Sequence, residues 1–264
     1  MSLDVARLMR AVVLFLIVAA VVYLGLCIFV YATQRSQIYF PTAETHHPGA
    51  RAVRLRSHGE SLKIWEISRA GSRALVYFGG NAEDVSWNID ALSAAFPDHS
   101  LYLVNYRGYG GSTGQPSEAG LFADALTVYD HVRAQRSEIS LVGRSLGSGV
   151  AVYVASQRPV HRLVLVTAYD SLVNVARSHF RFLPVGLLLR DRYESVRRAR
   201  DIKAPTLMVI AGDDEIIPRA RSEALSNAFP PEQVQVQVVR GAMHNSLDLS
   251  PEYLRAVQAF LADG

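Results

Sequence analysis

Ser145 lies in Gly143-Arg144-Ser145-Leu146-Gly147, a GxSxG sequence between the apolar run Ile139 to Val142 and a helix-forming stretch, Leu146 to Gln157. A serine on a tight strand-to-helix turn is held in strained backbone with its hydroxyl clear of the sheet, where it can attack an acyl carbon. Gly143 and Gly147 are required there because side chains at those positions would collide across the turn. By itself GxSxG is also compatible with an ordinary turn, and the flanking strand and helix are what make it a nucleophile elbow.

A serine hydroxyl is a weak nucleophile near neutral pH, so it needs a base, and the base needs an orienting carboxylate. On a nucleophile elbow the chain order is serine, acid, histidine. Of the eight histidines, His244 follows the last strand-like run, Val234 to Val239, and precedes the final helix, Pro251 to Leu261. His244 is therefore the expected base. His46, His47, His58, His99, His131 and His161 are read as solvated, and His179 as a candidate substrate contact. The acid should follow the strand Leu207 to Ile210, where Asp213 and Asp214 stand side by side. Asp214 is favoured because Pro218 can open the next helix and so sets the loop length behind it. Asp213 would then cap the turn, and Asp170, after the preceding strand, stays a third candidate because triads are defined by geometry.

Acyl transfer also needs two backbone donors for the tetrahedral oxyanion. One is the amide of Leu146, after the nucleophile, and the other is expected from Asn81 in Tyr77-Phe78-Gly79-Gly80-Asn81. Gly79 and Gly80 would let the main chain approach substrate closely. Gly-Gly-Asn is equally a plain turn. No glycine-rich stretch meets a dinucleotide or P-loop pattern, and no Cys/His group has zinc spacing, so neither a cofactor nor a metal is expected.

The elements that must position these residues alternate. Val53 to Arg56 and Leu62 to Ile67 read as edge strands, the second with a period close to two. Ala74 to Phe78, Leu101 to Val104, Ile139 to Val142, Leu163 to Val166 and Leu207 to Ile210 are near-continuous apolar runs, as in parallel strands buried on both faces. Helices are predicted over Ala82 to Phe96, Glu118 to Arg136 and Leu146 to Gln157. That order gives an α/β class with a mostly parallel sheet. The long gap from Ala168 to Pro205 contains FLPVGLLL and is predicted to form a cap at about 168–204, with Phe182 and Leu183 as substrate contacts.

Residues 11–32 carry no charge and as a helix would span ~33 Å, enough for a hydrocarbon core. The run exceeds a signal-peptide h-region and lacks a small-x-small site at its end, so it reads as an anchor. Residues 1–10 precede it, with Arg7 and Arg10 favouring a cytoplasmic N-terminus and an extracytoplasmic domain. Residues 33–49 are predicted to be a juxtamembrane connector, with Tyr39 and Phe40 at the bilayer interface, and residues 50–264 to be one domain. The 27 basic residues only just exceed the 24 acidic ones and form no aromatic-interleaved basic run, so nucleic acid is a poor partner. Cys27 is the single cysteine, which excludes an internal disulfide.

These motifs together resemble the single-pass α/β-hydrolase-domain serine hydrolases, the Bem-like group allied to serine aminopeptidases. The resemblance runs from about Arg51 to the C-terminus and includes the anchor. It is carried by YFGGNAED at 77–84, NYRGYGGSTGQPSEAGLFADA at 105–125, FLPVGLLLRDRYES at 182–195, DDEIIP at 213–218 and GAMHN at 241–245. It implies the α/β-hydrolase fold, a Ser145, Asp214, His244 triad, a site wall from the loop 107–111, no metal or cofactor, and ester, thioester or lipid substrates. Gly79 departs from the histidine of many relatives. A serine peptidase with the same triad, or a catalytically silent membrane-tethered interaction protein, are the rival readings.

Overall fold

The computed structural model describes residues 2–262, so Met1 and the last two residues of the expected domain lie outside the described residues. Eight strands form one sheet in the order β1-β2-β4-β3-β5-β6-β7-β8. They are β1 (Arg51–Ser57), β2 (Glu60–Ile67), β3 (Arg73–Phe78), β4 (Ser100–Val104), β5 (Glu138–Arg144), β6 (Leu163–Val166), β7 (Thr206–Ala211) and β8 (Val234–Val239). β2 runs antiparallel to β1 and β4, and every pairing from β4 through β8 is parallel. This is the mostly parallel α/β sheet that the alternation implied, in the α/β-hydrolase architecture that the resemblance implied.

The pleat sends alternate side chains to opposite faces, and each face has its own core. Ala74, Val76 and Phe78 of β3 face one core with α3 (Glu118–Arg133), α4 (Leu146–Gln157) and α8 (Arg219–Ser226). Leu75 and Tyr77 face the other, with α2 (Ile89–Ala95) and α9 (Pro251–Ala262). Apolar area buried on both faces of the sheet at ~25 cal/mol per Å² is the main force holding it closed.

Three expected boundaries differ. The helix predicted over Ala82 to Phe96 is a 3₁₀ turn, Val85–Asn88, followed by the short α2. The reason is local: Glu83 turns back to the Gly80 amide, and the Asp84 side chain accepts from the Ser86 amide, so the residues before Val85 form a loop. α3 stops at Arg133 rather than Arg136. α1 (Ser2–Ile38) runs past the uncharged segment, so the first part of the expected connector is helical. It is long and apolar enough to cross a membrane.

Tyr39 was expected at the bilayer interface. Instead it is buried in the domain core at 2% exposure, with its hydroxyl 3.0 Å from that of Tyr193. The expected cap is also narrower than 168–204. Ala168, Tyr169, Tyr193, Ala199, Ile202 and Ala204 belong to the core, because the chain returns to the sheet on either side of α5 (Leu172–His179) and α6 (Val185–Leu188), and α7 (Ser195–Arg198) packs on α4.

Candidate active site

β5 ends at Arg144 and α4 begins at Leu146, which leaves Ser145 alone on the turn. Its backbone is at φ 50°, ψ −116°, a left-handed strain for a residue with a Cβ. The Ser145 amide donates to the Val166 carbonyl at 2.9 Å, which clamps the turn to β6. The flanking glycines have steric causes. A Cβ on Gly147 would lie 2.0 Å from the Phe78 carbonyl oxygen, and one on Gly143 would lie 2.5 Å from the Gly147 carbonyl oxygen.

His244 Nε2 lies 3.0 Å from Ser145 Oγ, and His244 Nδ1 lies 2.8 Å from Asp214 Oδ2 and 3.0 Å from Oδ1. Both side chains of the His–Asp pair are almost completely buried. With Nδ1–H donating to the carboxylate, the Nε2 lone pair faces the serine hydroxyl, and that tautomer can accept the Oγ proton. Asp214 Oδ1 also accepts from the amides of Ile216 and Ile217 at 2.9 and 2.7 Å, so the carboxylate is held from its own loop. The two loops are zipped together. Gly212 and Asp213 donate to the Val239 and Ala242 carbonyls, and the His244 amide donates to Glu215.

The rival acids lie elsewhere. Asp213 is exposed, and its main-chain amide is what joins the loops. Asp170 is engaged by Asn174 and Arg221, a structural role at the start of α5. His179 Nε2 is 2.9 Å from the Ile216 carbonyl, tying the end of α5 to the loop that carries Asp214.

Gly80 lies beside Ser145: a Cβ on Gly80 would come within 3.7 Å of Ser145 Cβ. The Gly80 amide is already committed to Glu83 Oε2 at 2.6 Å, and α4 starts with its Leu146 amide at the helix N-terminus, where no intrahelical acceptor exists. The Phe182 carbonyl accepts from Tyr23 of α1, and Leu183 lines a hollow with Arg177 and residues 184–187.

Sequence reasoning missed two supports of this site. Arg144, the variable residue inside GxSxG, pairs with Glu83 at 2.9 Å, and both side chains are largely buried. Glu83 also accepts from the Tyr77 hydroxyl and Asn88, while Arg144 reaches the His244 carbonyl at 3.4 Å. Burial opposes the Arg144 charge, but the Glu83 carboxylate and Tyr77 hold its pKa above the usual value. One ion pair thus links the Gly80 loop, the elbow and the histidine loop. A signal was present in a charged residue at each of two buried turns.

The second support is the end of α1. Asn81 Nδ2 donates to the Ile38 carbonyl at 2.6 Å, and Asn81 Oδ1 accepts from the Phe40 amide at 3.0 Å and the Tyr109 hydroxyl at 2.8 Å. The Gly110 amide donates to the Thr42 carbonyl, and Thr45 bonds Asp84 and Ser86. Three of these contacts end on backbone groups, which carry no residue-type signature, and the others pair side chains that no local spacing links.

Among the described residues, no group of three or more His, Cys, Asp or Glu is arranged to hold a metal ion.

The sequence has the following relatives. Residues 168–248 match the family described as Serine aminopeptidase, S33. The chain is 35% identical to an uncharacterized protein of Mycobacterium tuberculosis over 100% of this chain and 98% of that protein. It is 24% identical to protein bem46 of Schizosaccharomyces pombe, covering 89% of this chain and 88% of the relative. Among solved structures it resembles an esterase of Pyrococcus furiosus, with a TM-score of 0.71 at 16% identity over 85% of this chain and 98% of that one. Alpha/beta hydrolase domain-containing protein 10 from mouse has a TM-score of 0.64 at 18% identity, over 81% and 98% of the two chains.

Proposed function

Since this chain belongs to the bem46-like family of α/β-hydrolase-domain proteins, we propose that it is a membrane-anchored serine hydrolase that cleaves acyl esters through an acyl-enzyme. The observation that carries this reading is the unbroken run from Ser145 Oγ through the His244 ring to Asp214, at 3.0 and 2.8 Å.

Ser145 Oγ attacks the acyl carbon while its proton passes to His244 Nε2, and Asp214 orients the imidazole and stabilises the imidazolium. The Leu146 amide, at the positive end of the α4 dipole, and the Asn81 amide receive the oxyanion. The bond to the leaving oxygen then breaks as Nε2 returns the proton to it, leaving the acyl group on Ser145. Water, deprotonated by the same Nε2, attacks that ester and regenerates the serine. α1 holds the domain at a membrane, with Arg7 and Arg10 on the cytoplasmic side and the domain on the other.

A fluorophosphonate probe tests the reading, because only an activated serine is labelled. Labelling that survives in Ser145→Ala overturns it. The peptidase rival is favoured by the description of the matched family. Hydrolysis of aminoacyl amides without hydrolysis of acyl esters would replace the ester reading with it.

A further inference from the structure

α1 and the cap segment run side by side in a register fixed by specific contacts. Tyr23 donates its hydroxyl to the Phe182 carbonyl at 2.8 Å. Further along, the Arg190 guanidinium lies over the Tyr31 ring at 4.1 Å, and Gln34 bonds the Leu188 carbonyl and the Arg190 amide at 3.0 and 2.7 Å. Arg35 ends the series with paired bonds to Asp191. The cap therefore reaches along α1 from Arg35 to Tyr23, and Tyr23 lies well inside the uncharged run that ends at Ala32.

The depth follows from helix geometry. About twenty residues from Ala11 fill a hydrocarbon core of ~30 Å, and Tyr23 is then roughly 10 Å inside the edge nearer the domain. That matches the ~5–10 Å to which interfacial segments sink.

Two further features suit a segment at this depth. Its outward side chains are apolar, with Phe180 at 50%, Phe182 at 65% and Leu187 at 86% exposure. Much of its polar backbone is paired within the protein, which lipid contact favours because hydrocarbon offers no hydrogen bonds. The amides of Leu183, Val185, Leu187, Leu188 and Leu189 donate to carbonyls between Phe180 and Val185. The carbonyls of Phe182, Gly186 and Leu188 accept from Tyr23, Arg192 and Gln34. Arg181 has the long stem needed to keep its charge at the headgroups while Phe182 sinks.

From this register and pairing we infer that residues 180–189 form a second, monotopic membrane contact, with Phe182 and Leu187 in the acyl region of the bilayer beside α1. The inference rests on α1 being an anchor. Its consequence for catalysis rests on the hydrolase reading: α5 leads into this loop, and His179 is tied to Ile216, two residues beyond Asp214. Insertion therefore brings the rim of the site to acyl esters that reside in the bilayer.

The test is depth-dependent quenching in full-length protein reconstituted in phosphatidylcholine–phosphatidylglycerol vesicles, with and without acyl-chain bromination. The variants are Phe182→Trp, Leu187→Trp and, on α1, Leu16→Trp, each in a Trp87→Phe background that leaves Trp65 as a constant. All three reporters should lose at least half of their emission in brominated lipid. Quenching of Leu16→Trp alone, with the two cap reporters changed by under a tenth, would overturn cap insertion and keep the anchor. No quenching at any position would remove the anchor and the inference together. Fluorophosphonate labelling of the same samples reports separately on the hydrolase reading, because quenching does not depend on activity.

Discussion

Asn81 is hydrogen-bonded through both side-chain atoms to the end of α1, donating to the Ile38 carbonyl at 2.6 Å and accepting from the Phe40 amide at 3.0 Å. The loop that flanks Ser145 is thus braced by the segment that joins the apolar helix to the domain. Tyr39, between these two partners, is locked in the core, so the brace cannot slide.

Asn81→Ala removes the brace without removing the main-chain amide. We expect kcat on a soluble ester to fall on the order of 10-fold or more, with KM within about twofold, since a misplaced oxyanion donor is felt mainly in the transition state. A chain truncated to begin at Arg51 should show the same kcat defect and also lose stability through loss of Tyr39, by about 3 kcal/mol. One that begins at Leu26 should show neither. Steady-state kinetics and urea unfolding measure both, and a fully active chain beginning at Arg51 would refute the role of the brace.

Ser145→Ala should fold normally and lose fluorophosphonate labelling entirely. His244→Ala should be comparably inactive, because serine and base act as one unit. Gel fluorescence after probe treatment, with circular dichroism as the folding control, provides the measurement.

Asp214→Asn should lower kcat by roughly 10³–10⁴-fold, because an amide at this position disfavours the tautomer that leaves Nε2 free. Asp213→Asn should stay within about threefold of wild type, as its carboxylate is exposed and its main-chain amide is what joins the loops. The opposite ranking of the two kcat values would reassign the acid.

Glu83→Gln leaves the buried Arg144 charge without its counter-ion and weakens the anchor of the Gly80 amide. Breaking such a pair costs about 3 kcal/mol, and the double variant Glu83→Gln, Arg144→Met should recover much of that. Activity should remain low in both, because neither restores the link from the elbow to the histidine loop. Denaturant midpoints alongside kcat separate the two effects, and a fully active double variant would show that the pair serves stability alone.

How much could be read in the sequence differs residue by residue. Ser145 was legible because the elbow needs glycines at fixed offsets between a strand and a helix, which is local information. The placement of His244 beside Ser145 was legible because it follows the last strand, where the expected order puts a base. The choice between Asp213 and Asp214 was not local. Neighbouring residues point apart, and only the placement of the histidine loop and of the Ile216 and Ile217 amides decides which carboxylate is turned inward.

The parallel sheet, the order of its strands' chemistry and the apolar N-terminal helix were determined by the sequence itself, because periodicity, apolar run length and turn glycines encode them within short windows. The tertiary structure alone decided that α1 extends to Ile38, that Tyr39 is core, that Asn81 hangs from that helix end, and that Phe182 lies beside Tyr23. Those relationships join residues more than 40 positions apart, Tyr39 to Tyr193 through two side chains and Asn81 and Tyr23 each through a side chain to a backbone carbonyl. Every residue carries such a carbonyl, so no pattern of side chains announces them before the chain has folded.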